Sequence, residues 1–133
     1  MKDLKDIHIE AHKDRFFVPA VSFSVATGVC SIGGESFLEN SGEFYDELGE
    51  WIDAYFDSGR NQLELNFKLI YFSTSSSKAI LDMLVHVRKH KKPGNQFDVN
   101  WYYAKNDEDI LQEGKDMEQD TGVAMNFVET EEV

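Results

Sequence analysis

The chain has 133 residues, 41% hydrophobic and 13% aromatic, with ten Phe and two Trp; this excludes a disordered chain and suffices for one packed domain. Its formal net charge is −12, from 13 Lys plus Arg against 25 Asp plus Glu. Such a field repels nucleic acid and anionic lipid and suits a basic or mixed-charge protein partner.

Ile7, Ile9 and Ala11 alternate with His8, Glu10 and His12, the period of a strand with one polar face. Pro19, which has no N–H, marks a strand start or edge before Val21, Phe23 and Val25, which alternate with Ser22 and Ser24. Thr27-Gly28 reads as a turn and Val29 to Ile32 as a third strand of an antiparallel meander, broken by Gly33-Gly34. Phe44, Leu48, Trp51, Tyr55 and Phe56 form the aromatic face of an amphipathic helix, with Asn40 or Ser41 as N-cap and Glu43 in the favourable first turn.

Leu63, Leu65, Phe67, Leu69 and Tyr71 then alternate as a strand. Leu69 to Phe72 are apolar in succession, as in a central strand covered on both faces. Ile80, Met83, Leu84 and Val87 give a second helix from about Ser75 to His90, closed by the basic run Arg88-Lys89-His90-Lys91-Lys92 and stopped by Pro93-Gly94-Asn95. Cations belong at a helix C-terminus, so that run has a sufficient structural explanation. Phe97, Val99, Trp101 and Tyr103 form a further strand, and strand–helix–strand order implies a right-handed crossover with parallel pairing. Beyond Asn106 an acidic segment holds Ile110, Leu111, Gly114 and Met117 as a third helix with a thin apolar edge. Val123 to Val128 reads as a last strand and residues 129–133 as a flexible tail.

The fold expected is a single α/β domain over residues 1–133: a mixed sheet of about five or six strands, an N-terminal antiparallel meander, and two crossover helices with a third near the C-terminus. No apolar run reaches membrane-spanning length, and Met1-Lys2-Asp3-Leu4-Lys5-Asp6 lacks a signal-peptide core. Cys30 is the single cysteine, which leaves no intramolecular disulfide and no Cys cluster for zinc. The expectation is a soluble cytoplasmic protein without cofactor.

The stretch Ser73-Thr74-Ser75-Ser76-Ser77-Lys78 joins the central strand to the second helix. A helix opens with backbone N–H groups that lack partners and with partial positive charge, where Ser and Thr cap and phosphate is accepted. Two readings follow from the residues alone. One hydroxyl caps the helix and the rest are solvated, or one is a phosphorylation site whose charge a partner reads.

Other constellations carry less. Ser75-Ser76-Ser77-Lys78 matches Ser-x-x-Lys formally, without the other motifs of the penicillin-recognising enzymes. His86 and His90 have the one-turn spacing of a metal pair, but without an intervening Glu or an evident third ligand. His8 and His12, on a strand, would stand about 13 Å apart. Asp107, Glu108 and Asp109 lack the Gly and terminal Glu of an EF-hand. No phosphate-binding Gly-rich loop occurs, and nothing assembles a nucleophile, base and oxyanion donors. The reading is a non-enzyme.

From about residue 7 to 128 the chain resembles the SiaC family of bacterial biofilm-regulatory phosphoproteins, small STAS-like domains of anti-sigma-factor-antagonist character. The resemblance rests on Gly34-Glu35-Ser36-Phe37-Leu38-Glu39-Asn40, Phe44-Tyr45 with Trp51, and Tyr71 through Lys78. It continues with Trp101-Tyr102-Tyr103 and with Asp107 to Leu111 plus Gly114. Leu38 stands where the family usually has Pro, and Ser73 where it has Asn. What the resemblance implies is phosphorylation at Thr74 by a cognate Ser/Thr kinase and removal by a PP2C-type phosphatase. The unphosphorylated form would bind and activate a diguanylate cyclase, raising cyclic di-GMP and altering biofilm formation. Glu35, Ser36, Glu39 and Asn40 are possible partner contacts on the same rim, since loops at the C-terminal ends of neighbouring strands cluster. Phosphate at Thr74 is expected to act by blocking docking around the second helix. Two alternatives remain: a regulator binding an anti-sigma kinase, and a small-molecule module without phosphate chemistry.

Overall fold

The structure, a computed structural model, describes residues 4–14 and 16–133; the first three residues of the N-terminal segment weighed above lie outside them. A six-stranded sheet has the order β1-β4-β5-β6-β7-β8. β1 (Ile7–Ile9), β4 (Ala20–Phe23) and β5 (Val29–Ser36) pair antiparallel, while β6 (Gln62–Phe72), β7 (Gln96–Ala104) and β8 (Asn126–Thr130) continue from β5 in parallel. β2 (His12–Lys13) and β3 (Phe17–Val18) form a small separate hairpin.

Each parallel step is bridged by one helix: α1 (Ser41–Asp57), α2 (Thr74–Val87) and α3 (Glu108–Thr121). Three crossovers are present rather than two, because β8 pairs with β7 in parallel. Right-handed steps between successive neighbours put all three helices on one face of the sheet. There Val21, Phe23, Cys30, Ile32, Leu63, Leu65, Phe67, Val99 and Trp101 are buried beneath Tyr45, Leu48, Ile52, Ile80, Met83 and Leu84.

The helix termini follow the chain chemistry closely. Asn40 caps α1: its Oδ1 accepts from the Glu43 N–H (3.3 Å) while its Nδ2 donates to Glu43 Oε2 (2.8 Å). Asp107 caps α3 by accepting from the Ile110 N–H at 3.1 Å, and Gly122 ends that helix at φ +73°. α2 stops at Val87 and tightens into a 3₁₀ turn, Arg88–His90. The basic run serves other carbonyls than expected: Arg88 donates to Thr121 O at the end of α3 (3.0 Å), and Lys91 to Phe97 O (2.7 Å).

Two expectations fail at one place. Gly33 and Gly34, read as the end of a strand, lie inside β5. Beside them, β6 is not covered on both faces, and Ile70 and Tyr71 are 46% and 47% exposed. The pairing steps from Gly34–Leu69 to Glu35–Tyr71, so Ile70 is an extra residue in a β-bulge, with Gly34 at φ +91°. The bulge resets the alternation and turns two consecutive apolar side chains outward. The last strand also runs to Thr130, into the segment read as tail.

The helix-free face is polar over most of its width. Ser22, Ser31, Asn66, Asn100 and Asn126 fall in one row across the strands. Asn126 Nδ2 donates to Asn100 Oδ1 and Asn100 Nδ2 to Asn66 Oδ1, each at 2.9 Å. These side chains satisfy one another and leave the surface compatible with water.

α3 sits so close to β7 that a Cβ on Gly114 would fall 2.5 Å from Trp101 Cδ1 and 2.6 Å from its Nε1. Trp101 is fixed there by its Nε1–H, which donates to Ile110 O at 2.9 Å. Alanine gains about 1 kcal/mol over glycine in helix propensity, but overpacking against a locked indole costs about 1–3 kcal/mol. Gly114→Ala is therefore expected to lower the urea midpoint followed by Trp fluorescence; an unchanged or higher midpoint would contradict this packing.

Candidate functional site

The serine-rich stretch lies where β6 hands over to α2, beside the junction of β5 and α1. Ser73 is the N-cap: its Oγ accepts from the Ser76 N–H at 3.2 Å, and its carbonyl accepts from the Ser77 N–H at 2.8 Å. Its own N–H donates to Ser36 O at 2.9 Å, which ties the cap to the end of β5. Capping thus belongs to Ser73, and α2 opens at Thr74, one residue earlier than expected.

A chain of hydroxyls runs inward from that cap. Ser73 Oγ donates to Ser76 Oγ (3.2 Å), and Ser36 Oγ donates to the same oxygen (2.8 Å). Ser36 Oγ also lies 2.8 Å from the Tyr45 hydroxyl. Ser41, the first residue of α1, reaches Ser75 Oγ (3.2 Å) and Ser76 Oγ (3.3 Å). Burial pushes the Tyr45 phenol up to about 12, with the Ser36 hydrogen bond opposing, so it stays protonated at neutral pH. The network joins two helix N-termini to two strand ends.

The sequence-predicted residues divide accordingly. Ser36 and Ser76 are buried, and Ser77 is half-buried. Ser75 is exposed, but its hydroxyl is shared between Ser41 and Ser73, at 3.2 Å each. Thr74 is exposed, and its hydroxyl makes no side-chain hydrogen bond among the described residues. Lys78 reaches outward to Asp82 at 3.2 Å. Glu35 is half-buried and paired with Lys13 (3.2 Å), while Glu39 and Asn40 are exposed, the latter engaged as a cap. Ser36 is therefore a structural member of the network, away from the surface on which a partner could touch it.

Sequence reasoning missed Tyr45 and Ser41 as network members. It also missed a clamp at the far end of the helix pair. Asp53 of α1 receives His86 Nε2 (2.5 Å), His90 Nε2 (2.7 Å) and Lys89 Nζ (3.4 Å). The His86/His90 spacing was visible, but the acid that answers it comes from another helix. His90 is buried and stacks on Phe56 with ring centroids 4.7 Å apart.

Among the described residues, no titratable side chain hydrogen-bonds the Thr74 hydroxyl. Comparison with known proteins bears on which protein class this is. A match described as SiaC family regulatory phosphoprotein spans residues 9–130. The chain belongs to that family. A protein of Pseudomonas aeruginosa (strain UCBPP-PA14) is 27% identical over 117 residues, covering 88% of this chain and 90% of the relative. Among solved structures, the crystal structure of diguanylate cyclase SiaD in complex with its activator SiaC from P. aeruginosa matches with a TM-score of 0.82. The identity there is 26%, over 94% of this chain and 100% of the matched one. Apo-SiaC from the same organism matches at TM-score 0.77 and 25% identity, covering 95% and 98%. The mixed six-stranded sheet with three helices is thus the SiaC fold. Among the described residues, no helix is long and apolar enough to cross a membrane.

Asp53 makes the stability of the helix pair depend on pH. Burial works to raise its carboxyl, but hydrogen bonds from His90 and His86, with the charges of His86 and Lys89, outweigh that and hold it below its ordinary value. A depressed carboxyl contributes stability above the unfolded value of about 4 and loses it as pH falls through the folded one. Urea unfolding free energy is expected to decline on acidification below about pH 4, and less steeply in Asp53→Asn. Equal slopes would contradict the clamp.

Proposed function

We propose that this chain is a phospho-switch: Thr74 is reversibly phosphorylated, and the unphosphorylated form binds and activates a diguanylate cyclase. The observation that carries the reading is the contrast at the opening of α2. Ser73, Ser75 and Ser76 are committed to capping and to the hydroxyl network, whereas Thr74 stands exposed with a free hydroxyl. Membership of a regulatory phosphoprotein family and the activator role of SiaC in its complex with SiaD support the rest. A Ser/Thr kinase and a PP2C-type phosphatase would set the balance of the two forms.

Phosphate at the first helical residue adds about −1.5 to −2 charges. The first turn of α2 contains no acid, and a helix N-terminus favours negative charge by roughly 0.3–1 kcal/mol. The modified helix therefore persists, and the change is confined to the surface a partner meets. Phosphate there obstructs docking around the start of α2 by repulsion and by its own hydration. The protein carries out no chemistry in this scheme and works by being bound or released.

Stoichiometric phosphorylation is expected to weaken binding to the cyclase about tenfold or more, a cost of about 1.4 kcal/mol or above. Kinase treatment of Thr74→Ala should leave its affinity where it began. Calorimetric titration of both forms decides the matter. Unchanged affinity of the phosphorylated chain would defeat the proposal.

A further inference from the structure

We propose that Lys78 receives the phosphate of Thr74: on phosphorylation its ammonium leaves Asp82 and turns one helical turn back to the phosphate oxygens. This rests on the functional reading above, which supplies the phosphate. In the unmodified chain Lys78 Nζ lies 3.2 Å from Asp82 Oδ2, and the two side chains are 77% and 55% exposed. Lys78 stands between two i,i+4 neighbours on one face of α2, Thr74 on its N-terminal side and Asp82 on its C-terminal side. Once phosphorylated, Thr74 competes with Asp82 for one ammonium.

Three features favour the phosphate. A helical side chain leaves the backbone tilted toward the helix N-terminus, so Lys78 leans toward Thr74 and must reach forward for Asp82. An acid one turn before a lysine makes a better pair than an acid one turn after it, and the present pair has the poorer order. Phosphate also brings about −1.5 to −2 charges and three acceptor oxygens, against a single charge on the carboxylate. A pair as exposed as Lys78–Asp82 contributes little, so little holds the lysine where it is.

Lys78 is the only basic residue of α2 ahead of His86, which is bound to Asp53. Of the lysines on β2 and β6, Lys13 is paired with Glu35 at 3.2 Å, and Lys68 Nζ lies 5.0 Å from the Tyr102 ring centroid. Glu39 and Glu43, at the opening of α1, are acids that repel a phosphate. The exchange also reaches beyond the switch position. Asp82 loses its partner, and it lines a cleft between α1 and α2 together with Asp46, Glu50 and His86. Phosphate on the first residue of the helix thus leaves an uncompensated carboxylate eight residues on, about 12 Å along the axis. Lys78 carries the mark from the opening of α2 to that acidic cleft.

Phosphothreonine installed at position 74 of the full chain during its synthesis makes the test independent of any kinase. Phosphorus NMR then follows the second ionisation of the phosphate, which falls near pH 6 without a partner. An ammonium beside the phosphate favours the dianion and lowers that midpoint. Lys78→Gln is expected to raise the midpoint by about 0.3 pH unit, the scale of an exposed i,i+4 pair. The difference should shrink at high salt. Asp82→Asn should lower the midpoint when Lys78 is present and leave it in place in the Lys78→Gln background, which a double-mutant cycle reads. Lys105→Gln, just past the end of β7, controls for the general field and should change nothing. All three side chains are exposed, so the variants keep the fold. A midpoint unmoved by Lys78→Gln, or moved as far by Lys105→Gln, overturns the inference and leaves the functional reading standing. Absence of phosphate from Thr74 in the protein's own cells overturns the functional reading instead, whatever the titration shows.

Discussion

Two helices begin against the ends of two neighbouring strands, and a run of hydroxyls is what lets them meet there. Ser36, Ser76 and Tyr45 are fully buried, and Ser41 nearly so. An unsatisfied buried hydroxyl costs about 1–3 kcal/mol, whereas a satisfied one contributes on the order of 1 kcal/mol. Each hydroxyl in this group has at least one partner, and no buried side-chain N or O among the described residues lacks one. Of the hydroxyls at the opening of α2, Thr74 and Ser77 take no part in the network, and of these two only Thr74 is exposed. The network therefore fixes the opening of α2 and leaves Thr74 as its exposed, unengaged hydroxyl.

The same helix pair is held at its other end by Asp53 with His86, His90 and Lys89. With hydroxyls at one end and an ion cluster at the other, α1 and α2 have little room to slide. Phosphorylation of a surface residue then has no soft element to rearrange nearby. A change in what the surface presents, acting on a partner at close range, is the response such a frame allows. The extended −12 charge of the chain is screened within about 8–10 Å at physiological salt, so local charge decides docking.

How far the fold could be read from the residues differs from one place to another. The strand–helix–strand order after Gly33 follows from periodicity, because each segment buries one face and its apolar spacing reports that face. The cap of α1 and the acidic opening of α3 were legible for the same local reason, whereas the close approach of Gly114 to Trp101 is a tertiary fact. Thr74 as the acceptor came from family resemblance; its exposed, unengaged hydroxyl beside the engaged Ser73, Ser75 and Ser76 is a tertiary fact. The bulge at Ile70 was hidden because four successive apolar residues look like a strand buried on both faces. Only the pairing with Gly34 and Glu35 shows that the alternation resets. The Asp53 clamp was invisible since it links residues more than thirty positions apart, and no period relates them. Ser36 looked like a rim residue because its neighbours Glu35 and Phe37 do face outward, at least in part.

Position of the phosphate is the quantity on which everything above converges. Phosphopeptide mapping of the protein isolated from its own cells, before and after treatment with a PP2C-type phosphatase, reads it directly. The expected result is one phosphate, on Thr74, that the phosphatase removes. A phosphate on Ser73 or Ser75 instead would mean that the capping and network bonds do not withhold those hydroxyls, and would contradict the account at its base.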